Sequence, residues 1–345
     1  MIEMTKHKLL FSVPEVSPDA KLGIDFQRTL RIPDDDCDYP LPPGLGRFPL
    51  RHVDDFARTI PGAWLRHGGV MLPMCQSEAM WLNFDGYYVP DRQVSYPFAI
   101  KIAAGKINAV TGEGWQAGLS RNPQNYMVVP DQPWLDGYCV EEGIIRQFVA
   151  MPLGAGYSAE EQITGESEFG GLQIEVFPMK RKVFERRFPV VRKETFRKRL
   201  RVEESDSMVC CAAASDMGLA PGGRMRQEIY DDDFNFNDWD TAHASRCFVH
   251  LMNSLVWRSA TGSEPPPTPA TAAAYNQAGL PWFEYYDDSA SALPGTEALA
   301  KLKSVATMGK EKGDVPLPEN ESVDPARVVE LRRNLKPGQV REGAF

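Results

Sequence analysis

The chain has 345 residues, 43% of them hydrophobic and 25% charged, with a formal net charge of −9 at pH 7. That length allows one large domain or two ordinary ones, and the composition is that of a globular chain rather than a disordered or fibrous one. The overall acidity argues against a dedicated nucleic-acid binder, and no apolar run reaches the ~18–20 residues of a membrane-spanning helix.

Pro and Gly number 28 each, and 17 Phe, 11 Tyr and seven Trp supply large apolar groups. Pro interrupts helix interiors, and aromatics favour half-buried pleated surfaces, so many turns and short strands are expected rather than a helical bundle. The six cysteines include no C-x-x-C pair, and the N-terminus lacks a signal-peptide pattern. The expected setting is a reducing cytoplasm.

In chain order, residues 8–50 read as irregular β structure, with a strand over Leu22 to Ile32. A short helix fits His52 to Thr59. Strand-like segments follow at Gly69 to Met74, Ala79 to Tyr88, Tyr96 to Ala103 and Tyr126 to Val129. The clearest pair is Gly143 to Leu153 and Leu172 to Phe177. Between them Ser158 and Glu161 form an S-x-x-E capping box, and Gly165 sits where a glycine would end the helix. A linker is expected over 206–225. The strongest helical pattern covers Thr241 to Trp257, with Asp240 as N-cap and Ala244, Phe248, Leu251, Met252 and Leu255 at helical spacing. Two more helices fit Thr296 to Met308 and Asp324 to Leu335. The predicted class is α+β. A mainly antiparallel β domain occupies 1–205, and a helical and irregular region, 226–345, packs on it or on a neighbouring subunit.

Five features bear on function. From Lys180 to Arg201, eleven Lys and Arg face only Glu185 and Glu194, a local +9 that leaves −18 for the rest of the chain. Arg186, Arg187, Arg197, Lys198 and Arg199 are its candidate binding residues. The acidic runs Asp34 to Asp36 and Asp231 to Asp240 are candidate counterparts, and the Phe184/Phe188 spacing fits a helix docked by one face. Second, Gly154 to Ala159 matches G-x-G-x-x-A, but the helix it opens is too short for a dinucleotide fold. Third, His243, Cys247 and His250 share one face of the expected helix and are weak metal-ligand candidates. Fourth, His52, His67, Cys75 and Glu78 are weak catalytic candidates through a Cys–His pair. Fifth, Trp282, Phe283, Tyr285 and Tyr286 follow a Pro-rich link and read as anchors for the tail.

Arg146 to Lys180, Ser245 to Arg258 and Leu280 to Asp288 together resemble an uncharacterised group of microbial proteins, and the similarity extends from Phe26 onward. The resemblance implies no activity, cofactor or site residue. Some members carry a membrane-protein label. The leading expectation is a non-enzymatic cytoplasmic protein, without cofactor, acting by self-assembly or partner binding. The alternatives are a metal-dependent or Cys/His hydrolase and polyanion binding through 180–201.

Overall fold

A computed structural model describes residues 1–191, 216–286 and 290–332. Two large sheets dominate it. The first runs Ile2–Thr5, Lys8–Ser12, Lys21–Thr29, Ala79–Gly86, Ile144–Pro152, Met217–Arg226 and Asp38–Tyr39. All neighbours along it are antiparallel except the last pair. The second runs Ile107–Asn108, Phe98–Ala104, Leu172–Pro178, Ser245–Asn253, Val70–Met74 and Arg51–His52. Its one parallel pair is Ser245–Asn253 with Val70–Met74. The β-rich expectation therefore holds, with short helices on the outside.

One apolar core lies between the sheets. It takes Leu22, Ile24 and Phe26 from the first and Ile100, Ile174 and Leu251 from the second. Alternation along Ser245–Asn253 sends Val249 and Leu251 into this core and Met252 to the outer face. There, helices Gly62–His67 and Ser254–Thr261 cover Met71 and Met252 with Trp64 and Trp257. On the outer face of the first sheet, Val149, Met151 and Ala220 pack against Tyr157 and Val305, the latter from helix Val305–Lys312.

Several sequence expectations give way. The helix over Thr241 to Trp257 is instead strand Ser245–Asn253 followed by helix Ser254–Thr261. An interior strand is apolar on both faces, so its apolar positions satisfy a helical template without being a helix. Asp240 does cap, but it caps a turn: its Oδ1 accepts from the N–H groups of Ala242 and His243. Part of the expected linker is strand Met217–Arg226, an interior strand of the first sheet. Asp324 to Leu335 holds strand Val328–Arg332, paired in parallel with Trp282–Tyr286. The strands within Gly143 to Leu153 and Leu172 to Phe177 lie in different sheets. The chain after residue 216 thus supplies one interior strand to each sheet, along with short helices. Among the described residues no helix is long and apolar enough to cross a membrane.

Candidate functional site

Strand Ile144–Pro152 leads into the loop of Gly154 to Ser158. Glu161 organises that loop, accepting from Gly156 N at 2.7 Å, Ser158 N at 3.0 Å and Ser158 Oγ at 2.7 Å. Ser158 Oγ in turn accepts from Glu161 N, which completes the expected capping box, and Gly165 ends the helix with φ 76°. The N–H groups of Gly156 and Ser158, which could have faced a phosphate, are therefore occupied by the chain's own carboxylate.

A strap formed by residues 304–320 crosses above this loop. Asp34 Oδ2 accepts from Ala306 N at 2.8 Å, and Ser304 Oγ accepts from Thr307 N at 3.2 Å, so the first turn of helix Val305–Lys312 is capped twice. Tyr157 donates its hydroxyl to Asp314 Oδ2. Strap and loop enclose a cleft of about 700 Å3. Met151, Val305 and Leu317 give it apolar walls, and Gln76, Lys310, Asp314 and Asn320 give it polar edges.

An inner chamber of about 40 Å3 adjoins the cleft. Gln76 lines both, and Asn320 of the cleft wall accepts from Arg31 Nη2 in the chamber wall at 2.7 Å. Arg31 is fixed by its neighbours. The Gln147 amide donates to Leu30 O and accepts from Ile32 N, both at 2.8 Å, and so clamps the peptide groups on either side of it. The Arg31 side chain is buried, at 4% exposure, and its Nε and Nη1 have no hydrogen-bond partner among the described residues. Burial pushes the guanidinium below its ordinary pKa, against the opposing charges of Asp34 and Glu319.

The same chamber holds Cys75 and Glu78. Glu78 accepts from Arg28 Nε at 2.7 Å and from Cys75 N at 2.8 Å. Burial pushes its carboxyl up, opposed chiefly by Arg28. Burial and the Glu78 charge also push the Cys75 thiol up, so it rests protonated.

Of the catalytic candidates, the structure therefore joins only Cys75 and Glu78. His52 is paired with Val70, and Cys75 lies five residues further along the chain, about 16 Å at ~3.3 Å per residue. His67 stacks on Phe248 at 4.6 Å, at the same end of the second sheet. Cys75 therefore forms no pair with His52 or His67. The metal candidates separate for a similar reason. Cys247 faces the core, while His250 points to the other face, stacks on Trp64 at 4.5 Å and is hydrogen-bonded to Gly68 O at 3.1 Å. His243 is bound to Asp240 in the preceding turn. Among the described residues no group of three or more His, Cys, Asp or Glu is placed to hold a metal.

Part of the basic stretch is helix Arg181–Arg187, docked through buried Phe184, with Phe188 packed beside it. Arg187 lies 3.9 Å from Asp238 and stacks over Phe234 at 4.6 Å, and Lys180 donates to Asn237 O. Arg186 is exposed. Arg197, Lys198 and Arg199, with the rest of 192–215, lie outside the described residues. The other acidic runs have different partners: Asp34 and Asp36 face Arg146, and Asp231 and Asp232 face Arg121.

The aromatic anchor docks on its own chain. Trp282 is fully buried, edge-on to Tyr275, and Tyr285 packs edge-on to Trp134 at 4.8 Å. Phe283 exchanges backbone hydrogen bonds with Leu41, and Tyr286 ends the strand opposite Arg332. The residues that sequence reasoning missed are Arg31, Gln76, Tyr157 and Asn320. A buried arginine inside an apolar strand pattern was the only signal available for any of them.

Comparison with family models, with curated proteins and with solved structures returned no match to this chain.

Proposed function

We propose that the chain is a binding protein for a small molecule with an apolar body, held in the cleft beneath the 304–320 strap. The observation that carries this reading is the cleft of about 700 Å3, within the range of about 300–1,000 Å3 usual for ligand sites. Its mixture of apolar walls and convergent polar tips is the pattern by which such sites bind and orient a ligand. The protonated Cys75 thiol and its separation from His52 and His67 favour binding over nucleophilic hydrolysis.

Filling the cleft tests the reading. Ligand-observed NMR with a set of small apolar acids, alcohols and amines is expected to give binders that Ala306→Trp weakens by about tenfold or more. A set that never binds, or binds both forms equally, contradicts it.

A second reading, self-assembly or an acidic protein partner, draws support from one surface. Lys182 and Arg186 are exposed and form no ion pair among the described residues, and Val190 and Val191 beside them are 59% and 42% exposed. Complementary charge governs association and is screened by salt. Light scattering after size exclusion is expected to show an assembly at low ionic strength that dissociates at high ionic strength. A monomer at every salt concentration, with no partner retained on the immobilised protein, removes this reading.

A further inference from the structure

We propose that the inner chamber is the head-group subsite of the cleft, taking the carboxylate of a small organic acid on Arg31. The inference rests on the cleft being a ligand site and adds the chemical class of the ligand.

The guanidinium supplies the argument. It presents two edges, each a pair of N–H groups matched to a carboxylate, and Nη2 contributes one proton to each edge. Asn320 takes one Nη2 proton. One edge is therefore left complete, with both its N–H groups facing no acceptor, and one further nitrogen is left on the other edge. An unmet donor in a buried site carries the desolvation penalty of a lost hydrogen bond, and more when it is charged.

The guanidinium forms no ion pair among the described residues, although the charges of Asp34 and Glu319 reach it. Glu78, in the chamber wall, already binds Arg28 and the Cys75 N–H. Asp34 is taken by Ala306 N and faces Arg146. Glu319 lines the chamber and its charge acts on Arg31, but the two form no hydrogen-bonded ion pair among the described residues. Gln147 holds the backbone on either side, so the guanidinium is positioned in advance. The chamber, at about 40 Å3, suits a head group rather than a whole ligand. It borders the larger cleft at Gln76, which lines both, so an apolar chain has somewhere to lie next to the head group.

The test uses hexanoate, hexan-1-ol and inorganic phosphate, titrated calorimetrically into the full chain at constant ionic strength. Hexanoate is expected to bind the native protein at least about tenfold more tightly than hexan-1-ol, the gain of a charge-assisted pair. Phosphate alone is expected to bind more weakly than hexanoate, having no apolar body. Arg31→Met is expected to bind acid and alcohol equally. Asn320→Asp places a carboxylate beside Arg31 within the chain, so it is expected to raise Tm and weaken hexanoate by about tenfold. This second variant keeps the test decisive if Arg31→Met does not fold. Hexan-1-ol binding as tightly as hexanoate overturns the subsite and leaves the cleft standing. Binding by neither overturns both. Phosphate binding as tightly as hexanoate assigns the chamber to inorganic anions and overturns the carboxylate.

Discussion

Asp136 and His250 are buried titratable groups that respond to pH in opposite directions. Asp136 is 3% exposed, and its carboxylate accepts from Gln227 Nε2 at 2.9 Å with no cation beside it among the described residues. Burial pushes its pKa up to about 7. The folded state therefore holds a proton that the unfolded state has released, which adds stability below the unfolded value of ~3.9 and loses it as pH rises to the folded one, at about 1.4 kcal/mol per unit. His250 is pushed down to about 4, chiefly by burial, and its stabilisation is lost as pH falls from the unfolded value toward 4. Between pH ~4.5 and ~6.5 the two slopes oppose each other and flatten the profile. Asp136→Asn keeps an acceptor for Gln227 and removes one slope. Urea denaturation is expected to show the variant gaining stability over the native protein from pH 5 to about pH 7 and levelling off above it. A difference that does not change with pH contradicts the assignment of Asp136.

Elements were legible where the chain carries its own local signal. The capping box of Ser158 and Glu161 and the glycine stop at Gly165 were readable because each needs only a few neighbouring residues. The docked face of Phe184 and Phe188 was readable because one helical turn separates the pair. Ser245–Asn253 was not, because its surroundings come from Leu172–Pro178 on one side and Val70–Met74 on the other. Burial on both faces erases the alternation that marks a half-exposed strand. The site suffered more than the fold. Arg31 gains its meaning from Gln147, Asn320 and Glu78, which lie 116, 289 and 47 positions away in the sequence. No local spacing encodes such a cluster. Proximity in sequence does bring Cys75 and Glu78 together, but His52 and His67 sit at the opposite end of the strand.

For the whole molecule, the strap is an outer layer added to a two-sheet body, and its attachment is polar and local. Asp34 caps Ala306 and Tyr157 binds Asp314, while Val305 supplies the main apolar contact below. Strand Ile144–Pro152, by contrast, is hydrogen-bonded on both sides and largely buried. The strap should therefore open at a lower free energy than the sheets unfold, which is how a ligand would reach a cleft that the strap roofs. Asp34→Ala separates the two processes. It removes one of the two caps on the helix and leaves Asp36 as the ion-pair partner of Arg146, touching no backbone hydrogen bond within the sheet. Loss of a cap costs about 0.5–2 kcal/mol, and that cost falls on strap opening. Amide exchange is expected to speed up several-fold across Val305–Lys312 while Ile144–Pro152 keeps most of its protection. Equal acceleration in both segments would mean that strap and sheets unfold as one unit, and the cleft would then need another route of entry.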